Sequence, residues 1–178
     1  SSRLILLYGA SGTGKSSLIQ CGLAESLSRA DYFPVIVRRR ENFPDSLTYM
    51  LSDLVQRKDR AADPVELTRA LVNYSLSPVY LIFDQFEELF ISGSPDEQQQ
   101  FFQQLKELFE SGLSCKLILI MREEYLGYLY PFEEGLPGLF DFRLRIEPMR
   151  ESALEEVIIG TFAKVEGVQL ASPKATAD

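Results

Sequence analysis

Histidine is absent from all 178 residues. Its absence excludes imidazole general bases, imidazole metal sites and the Ser-His-Asp triad in one step. Cysteine is scarce, only Cys21 and Cys115, so no disulfide framework is implied and a reducing cytosol fits. No apolar run approaches the roughly 18 residues of a membrane span. The opening stretch Ser1–Leu7 is also too short in apolar residues for a signal peptide. Positive charge is the minority sign, 18 Lys and Arg against 26 Asp and Glu, for a formal net charge of −8. A module so charged is not expected to grip a phosphate backbone unaided. Internal repeats and low-complexity segments are missing too. These absences lead us to expect a cytoplasmic globular module with no direct nucleic-acid or membrane contact.

What is present is ordinary in bulk and specific in detail. Hydrophobic residues make 46% and charged residues 25% of the chain, which suits one soluble domain with a sizeable core. Apolar, β-branched or aromatic runs with the length of buried strands occur at Leu4–Tyr8, Phe33–Val37, Val79–Phe83, Lys116–Met121 and Phe142–Ile146. Helical patterns lie between them. The first opens at a glycine-rich turn and runs through Leu18, Ile19 and Leu23 to about Ser28. The second carries Leu47, Met50, Leu51, Leu54 and Val55 on one face.

A third helix starts at Asp63-Pro64-Val65-Glu66, with Asp63 as N-cap, Pro64 at the first helical position and Glu66 as capping-box acid. The same grammar recurs at Ser94-Pro95-Asp96-Glu97, and a last helix is expected over Ser152–Ala163. Strands alternating with helices imply an α/β fold with a parallel sheet covered on both faces. We expect the core over residues 1–165 and a small, polar linker over 166–178. The start at a first strand and this tail suggest a module of a longer polypeptide, with flanking domains as partners.

The segment Gly9-Ala10-Ser11-Gly12-Thr13-Gly14-Lys15-Ser16 satisfies G-x-x-x-x-G-K-S/T, with a strand before it and a helix after it. Triphosphate needs many donors packed close, so the loop must wrap with its N–H groups inward, and glycines permit that backbone path. The following helix adds unpaired N–H groups, including that of Ser17, and a positive dipole end. Lys15 reaches the β- and γ-phosphates, and the Ser16 hydroxyl coordinates Mg²⁺. The competing reading, a glycine turn with an incidental lysine, requires the four specified positions Gly9, Gly14, Lys15 and Ser16 and both flanks to agree by chance.

Val79-Tyr80-Leu81-Ile82-Phe83-Asp84 is an apolar strand ending in an acid, the Walker B pattern, and Asp84 there would hold Mg²⁺ directly or through water. Many buried strands end in Asp, so the pattern gains its weight from the loop upstream. Glu87 and Glu88 follow as candidates for the carboxylate that activates the attacking water. Their competing reading is a solvated acidic pair above Phe86, Leu89 and Phe90. Arg122, at the end of the next strand, is a candidate γ-phosphate sensor, or else a surface arginine paired with Glu123 or Glu124. Arg38-Arg39-Arg40 reads as a solvated basic edge, although one member could reach phosphate. Tyr125, Tyr128, Tyr130 and Phe132 read as packing against the sheet, and Cys21 as core.

These pieces together resemble the nucleotide-binding module of the STAND class of signal-transduction ATPases. More narrowly they resemble a bacterial branch whose Walker B reads Asp-Gln-Phe-Glu-Glu-Leu-Phe, here residues 84–90. The resemblance rests on Gly9–Leu18, Asp84–Phe90, the strand into Arg122 with Glu123–Leu126, and Phe142–Met149. It implies a three-layer P-loop NTPase fold, with a five-stranded sheet in order 2-3-4-1-5 and helices on both faces. It also implies an ATP- (or GTP-) and Mg²⁺-binding switch that oligomerises with its own kind when triphosphate is bound. Three functions follow as candidates: a regulatory ATPase that hydrolyses slowly, an interaction module that binds ATP without hydrolysing it, and a small-molecule kinase. The acidic extension after Asp84, Arg122 and the lack of an arginine-bearing lid between Phe83 and Lys116 speak against the kinase.

Overall fold

The computed structural model describes residues 3–18, 32–57 and 62–148. The apolar runs of the sequence become strands: β1 (Leu4–Gly9), β2 (Phe33–Val37), β3 (Val79–Phe83), β4 (Cys115–Arg122) and β5 (Arg143–Arg145). All pairings are parallel, and the order is β2-β3-β4-β1-β5. The P-loop strand β1 thus lies between β4 and β5, with Gly9 level with Arg122. At β2 and β3 the register sets Val37 beside Phe83. The residues that follow each strand therefore gather along one edge of the sheet, where ligands bind in open α/β folds.

The period-two alternation of strand side chains sorts the core into two faces. Leu4, Leu6, Val35, Val37, Val79, Leu81, Phe83, Leu117, Leu119 and Met121 point to one side. They are covered by helices α2 (Phe43–Leu54), α3 (Pro64–Ser75) and α5 (Pro95–Glu110). Leu7, Ile82, Ile118 and Ile120 form a smaller cluster on the other side. At the centre of the larger cluster Phe43 stacks on Phe101 at 5.0 Å, and Phe83 and Phe86 meet them edge-on or tilted. Burial pushes the Cys115 thiol up to about 12, so it is a packing residue and not a nucleophile.

The helix starts follow local chemistry. Asp63 accepts the Val65 N–H and Ser94 accepts the Glu97 N–H, each ahead of a proline in the first turn. Asn42 caps α2 by accepting the Asp45 N–H. Glu66, expected as a capping-box acid, pairs with Arg69 one turn on, and Glu97 turns toward Arg39. The aromatic series lies on a 3-10 helix over Glu123–Phe132. Tyr125 and Phe132 pack against the main core cluster, and two rings stack on helix side chains: Phe132 on Phe102 at 3.7 Å and Tyr128 on Phe90 at 5.5 Å. Most of the first helix, Cys21, the helix over Ser152–Ala163 and the linker over 166–178 lie outside the described residues.

Candidate nucleotide site

The loop from Gly9 to Lys15 is shaped by its glycines. Gly12 and Gly14 both take left-handed backbone angles, φ 79° and 80°, which side chains rarely adopt. Gly9 is required for a different reason: a Cβ there would lie 2.3 Å from the Ile146 carbonyl oxygen. Thr13 is buried and donates its hydroxyl to the Ala10 carbonyl at 3.0 Å, closing the loop on itself. Ser11 and Gly12 are exposed at its tip. Helix α1 begins at Lys15, described over Lys15–Ser17, and the Leu18 N–H donates to the Gly14 carbonyl.

The Lys15 ammonium is buried within the loop. It donates to the Gly9 carbonyl at 2.8 Å and to the Ala10 carbonyl at 2.6 Å. These are neutral acceptors, so the charge of Lys15 is hydrogen-bonded without being neutralised by an acid in its own loop. Ser16, one residue on, donates its hydroxyl to Asp84 Oδ1 at 2.6 Å. Ser17 is exposed on the next position. The two metal candidates are thus in direct contact although they are 68 residues apart.

Asp84 is fixed by the turn that follows β3. Its N–H donates to the Val37 carbonyl, and Phe86 N–H donates to the Ile120 carbonyl, so the turn is pinned to both neighbouring strands. Gln85 bridges them in a left-handed conformation, φ 58°. That sharp turn drives Phe86 into the core and returns Glu87 toward the end of β4. The Asp84 carboxylate is almost fully buried and accepts four donors. Ser16 Oγ and the Gln85 N–H reach Oδ1; Arg38 Nε and Nη2 reach Oδ2 at 2.9 and 2.7 Å.

Glu87 and Arg122, candidate base and candidate sensor, are paired with each other. Arg122 Nε lies 3.1 Å from Glu87 Oε1, and the Arg122 N–H donates to Oε2 at 3.3 Å. The Glu87 side chain is 6% exposed and that of Arg122 is 43% exposed. Glu88 is half-buried at the start of the short helix α4 (Glu88–Ile91), and its charge acts on Arg39. Glu123 accepts Arg145 Nε at 2.9 Å. That bond, with smaller help from the charges of Arg145 and Lys15, holds its carboxyl below the usual range.

The three consecutive arginines each have a partner, although Arg38 and Arg40 stay exposed to solvent. Arg38 holds Asp84, and Arg40 lies over the Tyr49 ring at 4.2 Å. Arg39 makes a forked pair with Glu97, donating at 2.9 Å to each carboxylate oxygen. Sequence reasoning missed the Arg38 contact. Its only signal was a basic residue one step past a strand that runs parallel to the Asp84 strand.

The donor set fits a hard dication: one hydroxyl and one carboxylate within hydrogen-bond distance, with no thiolate or imidazole. Among the described residues no group of three or more Cys, Asp or Glu could hold a metal alone, so phosphate and water would supply the remaining ligands. Among the same residues no helix is long and apolar enough to cross a membrane.

Comparison with known proteins agrees with this geometry. The sequence profile of the family described as Novel STAND NTPase 1 matches residues 1–177. No curated protein matches the chain. Among solved structures, the ORC1 protein of Aeropyrum pernix in complex with DNA is similar at TM-score 0.63 and 21% identity, over 92% of this chain and 44% of that one. A Walker-type ATPase of Pyrococcus abyssi is similar at TM-score 0.64 and 19% identity, over 97% of this chain and 56% of the other. The Aeropyrum pernix ORC2 protein, in ADPNP-ADP complexes, is similar at TM-score 0.61 and 17% identity, over 89% and 45%. The chain spans about half the length of these structures, and at such identities the likeness is one of fold.

Proposed function

The chain belongs to the Novel STAND NTPase 1 family, and from that premise we propose that it is the nucleotide-binding regulatory module of a larger, cytoplasmic signalling or defence protein. It binds ATP with Mg²⁺ at Gly9–Ser16 and hydrolyses it slowly as a conformational switch. The observation that carries this reading is the 2.6 Å contact between Ser16 and Asp84, which unites the hydroxyl and the acid that such a site needs. Bound with the triphosphate, Mg²⁺ supplies positive charge to the phosphate oxygens. Lys15 adds a second positive charge from within the loop, and the N–H groups of Ala10 to Ser17 line the phosphate path.

Glu87 is the better-placed base of the two glutamates, because it is buried at the strand edge beside Arg122. Arg122 is the sensor: drawn toward a γ-phosphate, it leaves Glu87 as a free carboxylate able to orient water and take its proton. Base and sensor are then coupled by a single ion pair. Glu88, whose charge acts on Arg39, is assigned no proton transfer. In the intact protein the triphosphate-bound form associates with further copies of itself and moves its flanking domains. Likeness of fold to a DNA-bound protein does not transfer DNA binding to this chain, whose net charge of −8 opposes it.

The Glu87–Arg122 pair also favours a second reading, a module that binds ATP and never hydrolyses it, since a glutamate held by an arginine is not a free base. Single-turnover assays on the intact protein separate the two. Under the first reading Glu87→Gln lowers γ-phosphate release by roughly 10²–10⁴-fold, the usual yield of a positioned base, while nucleotide affinity holds. Release that is equally slow in wild type and variant would support the second.

A further inference from the structure

The assignment of Asp84 to magnesium leaves Arg38 unexplained. The end of β2 is registered to the end of β3, and the Asp84 N–H donates to the Val37 carbonyl at 3.0 Å. Residue 38 therefore has to emerge beside residue 84. Both Arg38 Nε and Nη2 converge on the single oxygen Oδ2, and Ser16 and the Gln85 N–H take the other oxygen. The carboxylate is thus filled on both oxygens, and among the described residues its one cationic partner in contact is a guanidinium.

The exposures differ sharply across this pair. The Arg38 side chain is 52% exposed and that of Asp84 is 2%. Arg38 reaches in from solvent, so it can withdraw without opening the core, whereas the carboxylate has nowhere to turn. Arg39 and Arg40 are engaged elsewhere, with Glu97 and Tyr49, and do not replace it. A guanidinium on Oδ2 and a hard dication on the Ser16 side at Oδ1 would lie across one carboxylate from each other, where like charges repel.

Resting on the site reading above, we propose that Arg38 and Mg²⁺ are competing counter-cations of Asp84. Arg38 is a positioning residue: it holds the carboxylate from the Oδ2 side, and its charge opposes a dication arriving on the Ser16 side. The module therefore captures nucleotide at a magnesium concentration set by Arg38, higher than Ser16 and Asp84 alone would require. Full loading is confined to conditions in which metal and nucleotide arrive together.

The test is a Mg²⁺ titration of fluorescent ADP-analogue binding by the wild type, Arg38→Gln, Arg38→Met and Arg38→Lys, with Lys15→Ala as control. Removing the charge is expected to lower the half-saturating Mg²⁺ by about tenfold in both neutral variants, from the repulsion of one nearby unit charge. Arg38→Lys, which keeps the charge, stays close to wild type. A merely structural arginine would change stability and leave the magnesium midpoint where it was. Unmoved or raised midpoints in both neutral variants, beside normal wild-type binding, overturn the role of Arg38 and leave the site intact. A wild type that binds no better than Lys15→Ala at any Mg²⁺ concentration overturns the site reading and the role of Arg38 with it.

Discussion

At the scale of single residues, the chemistry of the site depends on where charge is left uncompensated. Lys15 is buried yet bonded to carbonyls, Asp84 is buried and bonded to a cation, and Glu87 is bonded to Arg122. Lys15 is therefore the one buried ionised group among these three whose contacts are neutral. Anionic phosphate gains most from it. Lys15→Ala is expected to weaken triphosphate binding by about ten- to a hundredfold, the worth of a charge-assisted hydrogen bond. Equilibrium titration with labelled ATP measures this, and near-normal affinity in the variant would remove Lys15 from the site. The loop was legible in the sequence because its glycines and lysine stand at fixed local spacing, and Asp84 because it ends an apolar strand downstream of that loop. Arg38 was not, since its role depends on strand register, and register brings together residues 46 apart that no local pattern relates. The Glu87–Arg122 pair was legible only as two separate candidates. Each stood at a strand end, but their mutual contact required the sheet order.

At the scale of elements, the Arg39–Glu97 pair ties the end of β2 to the first turn of α5, and the Phe43 N–H joins it by donating to Glu97 Oε1 at 3.0 Å. One carboxylate therefore fixes three elements around the phenylalanine cluster. Burial pushes the Glu97 carboxyl up, but the hydrogen bonds from Arg39 and from Phe43 outweigh it and hold the group below its ordinary value. A depressed folded pKa contributes stability above the unfolded value, about 4.3 for glutamate, and loses it as pH falls through the folded value. Glu97→Ala leaves a part-buried guanidinium unpaired and is expected to cost about 1–3 kcal/mol at pH 7. Urea unfolding at pH 7 and at pH 3 checks both claims: the gap between wild type and variant should narrow at the lower pH. A gap equally wide at both would show that packing, not charge, makes the difference. Strands and helix starts were readable here because alternation and proline-led caps are local. The partner of Glu97 was not readable. A glutamate three residues past Ser94 signals a capping box, and only the packing of α5 beside β2 shows that its side chain turns the other way.

At the scale of the whole molecule, the sheet order puts Gly9, Arg38, Asp84 and Arg122 on one edge, and each comes from or directly follows a different strand. Ligand binding at such an edge must couple the strands that supply it, so it should stabilise the fold as a unit and not merely order a loop. Ligand at about 100 times its dissociation constant adds roughly 2.7 kcal/mol, which for a domain of this size raises the melting temperature by about 5–10 °C. Thermal melts with ATP, ADP and GTP, each with and without Mg²⁺, measure this directly. The expected outcome is a rise of that size for adenine nucleotides with Mg²⁺ and a smaller one without it, since Asp84 and Ser16 then lack the metal that links them to phosphate. A rise equal for ATP and GTP would place base recognition outside these residues, because the P-loop contacts only the phosphates. No rise with any nucleotide, in a protein that melts cooperatively, would count against the site itself.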